Sequence, residues 1–353
     1  MSSLTTPTSR NAAAIRQQRQ FDRDPAFAAT HSPVKPRRTR LLEVSHLRKS
    51  FGSMVAVDDL SFHVNAGEVL GLVGPNGAGK STTMMILAGI RHADAGEVTI
   101  DGHSAGRGNR AAHRILGMAP QELAIYVDLT ARENLDFFGQ IHGVGGAELK
   151  SRIERILAQI GLEAQADHYV RTFSGGMKRR LNFGVALIHE PQIVILDEPT
   201  VGVDPQSRSH ILDCVRELAS NGVGVIYASH YMEEIEAICQ RVAIVDRGKL
   251  VVQGRLDELI DKSRTDLLLR VAAPHPELKR RFQGVADVLA AGDAESQVII
   301  KHEGQSLPGV VAGRLAKVVD ILAAAGIEIV SIETHKPSLE RLFLELTGRK
   351  LRD

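Results

Sequence analysis

Gly74-Pro-Asn-Gly-Ala-Gly-Lys80-Ser-Thr82 decides the fold. It fits the spacing G-x-x-x-x-G-K-[ST], in which glycines let the backbone wrap a polyphosphate with its N–H groups pointing inward. Its neighbours fit as well. Val69-Leu-Gly-Leu-Val73 is short and apolar and reads as a buried strand, and Thr82-Thr-Met-Met-Ile-Leu-Ala-Gly89 reads as a helix. Strand, glycine loop and helix in that order make a phosphate site of a pattern match. The helix N-terminus adds about half a positive charge at the same spot. Lys80 is placed to reach the β- and γ-phosphates, and the Ser81 hydroxyl to ligate Mg²⁺. Gly74, Pro75, Asn76, Gly77, Ala78, Gly79, Lys80, Ser81 and Thr82 are the expected nucleotide-binding residues.

A second stretch, Ile193-Val-Ile-Leu-Asp197-Glu198-Pro199, ends a buried strand in two acids. Two carboxylates at a strand end are costly unless a cation or hydrogen bonds compensate them. Asp197 suits Mg²⁺, often through water, and Glu198 is placed to polarise an attacking water. A third stretch, Phe173-Ser174-Gly175-Gly176-Met177-Lys-Arg-Arg180, sets a Ser-Gly-Gly run before a helix expected from Lys178 to His189. That is a second anion cradle. One nucleotide does not need two cradles from one chain, and the economical solution is two chains, each covering the other's nucleotide.

The rest of the chain alternates. Leu41-Leu-Glu-Val-Ser-His-Leu47 and Leu60-Ser-Phe-His-Val64 read as half-buried strands, and Glu97-Val-Thr-Ile100 as another. Residues 121–187 are mostly helical in pattern. Gln192-Ile-Val-Ile-Leu196 and Gly222-Val-Gly-Val-Ile-Tyr-Ala-Ser229 flank a helix at about 207–220, which implies a parallel α/β core. After about Arg264 come strands at 267–271, 296–301 and 327–332. Helices are expected at 275–282, at 311–325 with Gly326 as C-cap, and at 338–347 opened by Ser338. That order suggests a small α+β domain, ferredoxin-like, with no catalytic cluster of its own.

Composition bounds the rest. The 353 residues exceed one typical domain. A net charge of +1 provides no field that selects nucleic acid, and no nucleic-acid partner is expected. Residues 1–40 hold eight Lys or Arg against two acids and read as a disordered basic tail. Cys214 and Cys239 have no metal-ligand spacing and read as buried apolar residues. No run approaches the ~18 apolar residues of a membrane span, and no signal-peptide core lies near Met1.

Taken together, these residues resemble the nucleotide-binding subunit of an ABC transporter from about Leu41 to Leu259. The resemblance implies a P-loop NTPase core with an antiparallel β subdomain and a helical subdomain. Residues 41–263 would form the ATP-binding domain, with its helical part at 121–187, and residues 264–353 an α+β accessory domain. By that likeness Gly74 to Thr82 is the Walker A loop, and Asp197 and Glu198 close the Walker B strand. Gln121 is the Q-loop residue that senses Mg²⁺ and couples to the membrane subunit. Ser174, Gly175 and Gly176 are the signature motif, Asp204 belongs to the D-loop, His230 is the switch histidine and Phe51 stacks on adenine. The departures are mild: Phe173 and Met177 in the signature, and Val201 in the D-loop. Leu129-Thr-Ala-Arg-Glu-Asn-Leu135 and the ending Leu339-Glu-Arg-Leu-Phe-Leu-Glu-Leu-Thr-Gly348 look like bacterial exporters of drugs, nodulation factors, lipids or polysaccharides. The resemblance therefore implies ATP and Mg²⁺, a homodimer closed around two ATP molecules, integral membrane permease partners, and a peripheral position on the cytoplasmic face of the inner membrane. An importer ATPase, or a soluble ABC ATPase acting on ribosomes or DNA, stays open as an alternative.

Overall fold

The computed structural model describes residues 40–105, 110–262, 266–273, 278, 280–282, 286–290, 296–301, 308–335 and 338–347. The tail expected at residues 1–40 therefore lies outside the described residues, save Arg40.

The chain opens with a hairpin. Strands β1 (Arg40–Phe51) and β2 (Met54–Asn65) pair antiparallel around a turn at Gly52 and Ser53. Both are longer than the alternating stretches suggested. Bulges carry the pairing past the points where alternation stops, and His46 and Asp59 take left-handed backbone there. Strand β3 (Val69–Val73) is buried throughout and leads through the glycine loop into α1 (Lys80–Leu87). Strands β4 (Ala95–Ile100) and β5 (His103–Ser104) complete a four-stranded sheet in the order β2-β1-β4-β5.

Helix α2 (Arg110–Arg114) and strand β6 (Leu116–Ala119) precede the helical part of the domain. Helix α3 (Ala131–Ile141) starts at a capping box, in which Thr130 accepts from the Glu133 amide and Glu133 accepts from the Thr130 amide. Helix α4 (Gly146–Gln159) and α5 (Gly175–Leu187) follow. Helix α5 begins three residues before the expected start at Lys178. The reason is local: Ser174 is the N-cap, its Oγ accepting from the Met177 amide at 3.2 Å.

The second half adds β7 (Ile193–Asp197), α6 (Pro205–Ser220), β8 (Gly224–Ala228), α7 (Met232–Ile238), β9 (Arg241–Asp246), β10 (Lys249–Arg255) and α8 (Leu256–Lys262). The main sheet runs β10-β9-β3-β8-β7-β6, parallel except for the edge strand β10. Its central strands β3, β7 and β8 are buried on both faces, which explains why their sequences are continuous apolar runs. The fold class is thus the expected one, a P-loop α/β core carrying an antiparallel sheet and a helical subdomain.

The last segment contains β11 (Asp266–Val271), β12 (Asp287–Ala290), β13 (Ser296–Lys301), α9 (Pro308–Ala324), β14 (Ile329–His335) and α10 (Leu339–Thr347). Backbone at Leu278, Arg280 and Arg281 is also helical. The antiparallel order β12-β13-β11-β14 with helices between is a βαββαβ, ferredoxin-like arrangement. A separate small core of Leu269, Val271, Phe282, Val298, Val318 and Leu322 holds it. Helix α10 does not join that core. Leu339, Leu342 and Phe343 are buried in the main core with Ile235, Ile238, Leu256 and Leu259.

Candidate nucleotide site

The glycine loop joins β3 to α1, so its amides gather at the C-terminal edge of the main sheet. Gly79 is the residue before α1 and sits at φ 100°, in the left-handed region. A side chain on Gly74 would meet the Val245 carbonyl oxygen at 2.3 Å, so the loop lies directly against β9. Space around Gly77 is open to 4 Å, so the mouth of the loop is a cradle a phosphate can enter.

Lys80 is buried, and its ammonium donates to the Gly74 and Pro75 carbonyl oxygens at 2.6 and 3.1 Å. Burial lowers its pKa, against the pull of Glu198 and Asp197. Asp197 and Glu198 follow at the end of β7. Burial raises the Asp197 pKa, with Glu198 adding to the rise, while a hydrogen bond from Ser81 and the charge of Lys80 oppose it. Glu198 holds a left-handed backbone at φ 49°, uncommon for a non-glycine residue. Its carboxylate is gripped on both oxygens: Gln121 Nε2 donates to Oε2 at 3.0 Å, and His230 Nδ1 lies 3.4 Å from Oε1.

These contacts bring Lys80, Ser81, Gln121, Asp197, Glu198 and His230, scattered over 150 residues of sequence, into one cluster. The other expected residues stand in two further groups. Ser174 and Gly175 are exposed at the start of α5, and Gly176 is pressed on α6, where a side chain would meet Ser207 Oγ at 2.3 Å and Asp204 Oδ2 at 2.7 Å. Asp204 caps α6, its Oδ1 accepting from the Ser207 amide at 2.9 Å. That bond holds its carboxyl below the usual range. Phe51 ends β1, 37% exposed, with the Arg91 guanidinium 5.2 Å and the Lys49 ammonium 5.6 Å from its ring centre.

The sequence reading missed the residues that hold Gln121. Helix α5 clamps the stretch around it: Arg179 Nη1 donates to the Gln121 carbonyl oxygen, and buried Asn182 accepts from the Ala124 amide at 2.9 Å and donates to the Pro120 carbonyl oxygen at 3.3 Å. Their spacing of three residues on α5 puts both on one helix face, the only sequence signal they carry. His142 stacks on His189 with ring centres 3.8 Å apart.

The residues fit a nucleotide with Mg²⁺. A hydroxyl and two carboxylates are hard oxygen donors of the kind Mg²⁺ takes beside phosphates, and Asp197 and Glu198, adjacent and both buried, are acids whose charge a cation would compensate. A glycine cradle at a helix start, a buried lysine and paired carboxylates on the next parallel strand but one define a P-loop ATPase.

Comparison narrows the class. The ABC transporter family pattern matches residues 57–201. The linearmycin resistance ATP-binding protein LnrL of Bacillus subtilis (strain 168) is 40% identical over 317 residues, which is 89% of this chain and 100% of that protein. The Nod factor export ATP-binding protein I of Paraburkholderia xenovorans (strain LB400) is 35% identical, covering 88% of this chain and 98% of that one. The daunorubicin resistance ATP-binding protein DrrA3 of Streptomyces coeruleorubidus is 34% identical over 87% of this chain and 96% of its own length. A solved ATP-binding subunit of an ABC transporter superposes with a TM-score of 0.58 at 30% identity, over 62% of this chain and 91% of that one. The chain belongs to the ATP-binding subunits of ABC transporters, and it is an ATPase of that family.

Proposed function

We propose that this protein is the motor of an exporter. It binds two ATP molecules between two head-to-tail copies and drives separate membrane permease subunits from the cytoplasmic face of the membrane. Among the described residues no helix is long and apolar enough to cross a membrane. The names of the relatives, resistance and export proteins, support the outward direction.

The observation that carries the reading is the grip on Glu198, held between Gln121 and His230 beside Asp197 and Lys80. Phe51 offers the face for adenine. The loop amides and Lys80 hold the phosphates, Lys80 exchanging its loop carbonyls for phosphate oxygens. Ser81, Gln121 and Asp197 would hold Mg²⁺, which would neutralise phosphate charge. Glu198, held by Gln121, accepts the proton of the attacking water, and His230 steadies the γ-phosphate. Ser174 and Gly176 of a second copy close the site from the other side. Catalysis of this kind is positioning and electrostatic stabilisation. Closure around ATP supplies the free energy, because ATP binds the closed dimer more tightly than the open one.

Glu198→Gln tests this. The amide keeps the shape and the partners but cannot take a proton. The variant should bind ATP, accumulate as a dimer in size-exclusion chromatography with ATP, and lose turnover. Turnover at the native rate would overturn the assignment.

A further inference from the structure

We propose that Glu234 is a positioning residue for ATP hydrolysis, a buried carboxylate that fixes the segment after Glu198 and the segment around His230 against each other. It touches neither residue. It lies in the first turn of α7 and is 3% exposed.

Its partners converge from three elements. Thr200 Oγ1 lies 2.8 Å from both carboxylate oxygens. Tyr227 Oη donates to Oε2 at 2.9 Å and Ser229 Oγ donates to Oε2 at 2.8 Å. Arg208 Nε stands 3.3 Å from Oε1 as an ion pair. A carboxylate taken out of water is costly unless charge and hydrogen bonds compensate it. Three hydroxyls and a guanidinium do so here.

The placement of those donors is what points to function. Thr200 is two residues past Glu198, Ser229 is the residue before His230, and Arg208 is four past Asp204. Ser229 Oγ also accepts from the Tyr231 amide at 3.0 Å, so one carboxylate governs the backbone on both sides of His230. The Tyr231 ring packs on the His230 ring at 4.2 Å, and the Arg208 guanidinium covers Tyr231 at 4.6 Å. The pairing of β7 with β8 ends at Asp197 and Ala228. Beyond it, the Glu198 amide bond to the Ala228 carbonyl oxygen is the last sheet-like link. The 3.4 Å between His230 and Glu198 is therefore set past the end of the ladder. Left-handed backbone at Glu198 persists only where its surroundings over-determine it. The Thr200–Glu234–Ser229 bridge is that determinant.

This inference rests on the ATPase reading above and is tested with full-length protein by kinetics, AMP-PNP titration and thermal unfolding. Glu234→Gln should lower kcat by about 10- to 100-fold. KM and AMP-PNP affinity should stay within about threefold, since uniform binding is untouched. Ser229→Ala should give part of the kcat loss, and the double variant should be no slower than Glu234→Gln alone, because the two changes remove one shared interaction. Should Glu234→Gln fail to fold, Ser229→Ala and Thr200→Val, each removing one hydroxyl, should each lower kcat at unchanged AMP-PNP affinity. Wild-type kcat in Glu234→Gln, or in both single-hydroxyl variants, would overturn the proposal. So would a parallel fall of kcat, affinity and thermal midpoint, or strict additivity in the double variant. A wild-type protein without ATPase activity would instead sink the reading on which it rests.

Discussion

Gly79 joins two constraints at one atom. Its φ of 100° is closed to L side chains at a cost of about 1–2 kcal/mol, and a Cβ there would meet the Ala56 carbonyl oxygen at 2.3 Å. Gly77 shares the left-handed backbone, φ 78°, without any neighbour within 4 Å. Gly79→Ala should therefore lower the thermal midpoint of the nucleotide-free protein by more than Gly77→Ala, by several degrees at about 2–4 °C per kcal/mol. It should also weaken binding of a fluorescent ATP analogue. Equal midpoints for the two variants would refute the close contact. The glycine spacing was legible in sequence because it is a local demand of a local loop. The obstacle at Ala56 was not, because it lies on a strand that sequence separates by 23 residues and folding alone brings near. Asp197, Glu198 and Lys80 were legible for the first reason. Arg179, Asn182 and Glu234 were not, since each is an ordinary helix residue until its partner arrives.

At the scale of elements, α5 is the link between the two halves of the site. Ser174 caps it, Gly176 lies in its first turn, and its second turn clamps the stretch around Gln121. A movement of the helix thus reaches Glu198 through one side chain. Its far end carries a pH dependence. His189 follows α5 and stacks, 4° from parallel, on His142 at the end of α3. His189 Nε2 donates to the Leu116 carbonyl oxygen at 3.1 Å, while Nδ1 is buried without a partner. Burial, then the charges of His142 and Arg152, push its pKa from 6.5 down to about 4, against the Leu116 bond. The unfolded chain therefore binds a proton near pH 6.5 that the folded chain refuses until about pH 4, so stability falls with acidification across that window and levels below it. The full loss attributable to this residue is about 3 kcal/mol. His189→Gln keeps a donor for Leu116 and removes the titration. Its stability relative to wild type, from urea unfolding, should improve between pH 7 and pH 4.5 by about 2 kcal/mol. A pH-independent difference would exclude His189 as the source. Sequence spacing gave no hint of this pair, because stacking across two helix ends has no period to read.

For the whole molecule, the chain beyond residue 264 is two things. The β11–β14 sheet with α9 has its own core, but α10 completes the core of the ATPase domain. The Leu339 amide donates to Glu236 Oε1 at 2.7 Å, and Leu339 and Phe343 are fully buried beside α7 and α8. An amphipathic helix declares in its sequence that it has an apolar face, not which core takes it, and residues 264–353 accordingly read as one accessory unit. Helix α7 also carries Glu234 and Ile235, so α10 supports the element that braces the His230 segment. Phe343→Ala should cost about 3–5 kcal/mol, the usual loss for a buried phenylalanine. That cost should fall on the unfolding transition that ATP shifts upward, since only the nucleotide domain gains from ligand. Leu269→Ala, in the core of the accessory sheet, removes a comparable buried side chain. Calorimetry with and without AMP-PNP separates the two. Phe343→Ala should lower the nucleotide-sensitive transition by several degrees, while Leu269→Ala should leave it in place. The reverse pattern, with Leu269→Ala lowering the nucleotide-sensitive transition and Phe343→Ala sparing it, would return α10 to the accessory domain.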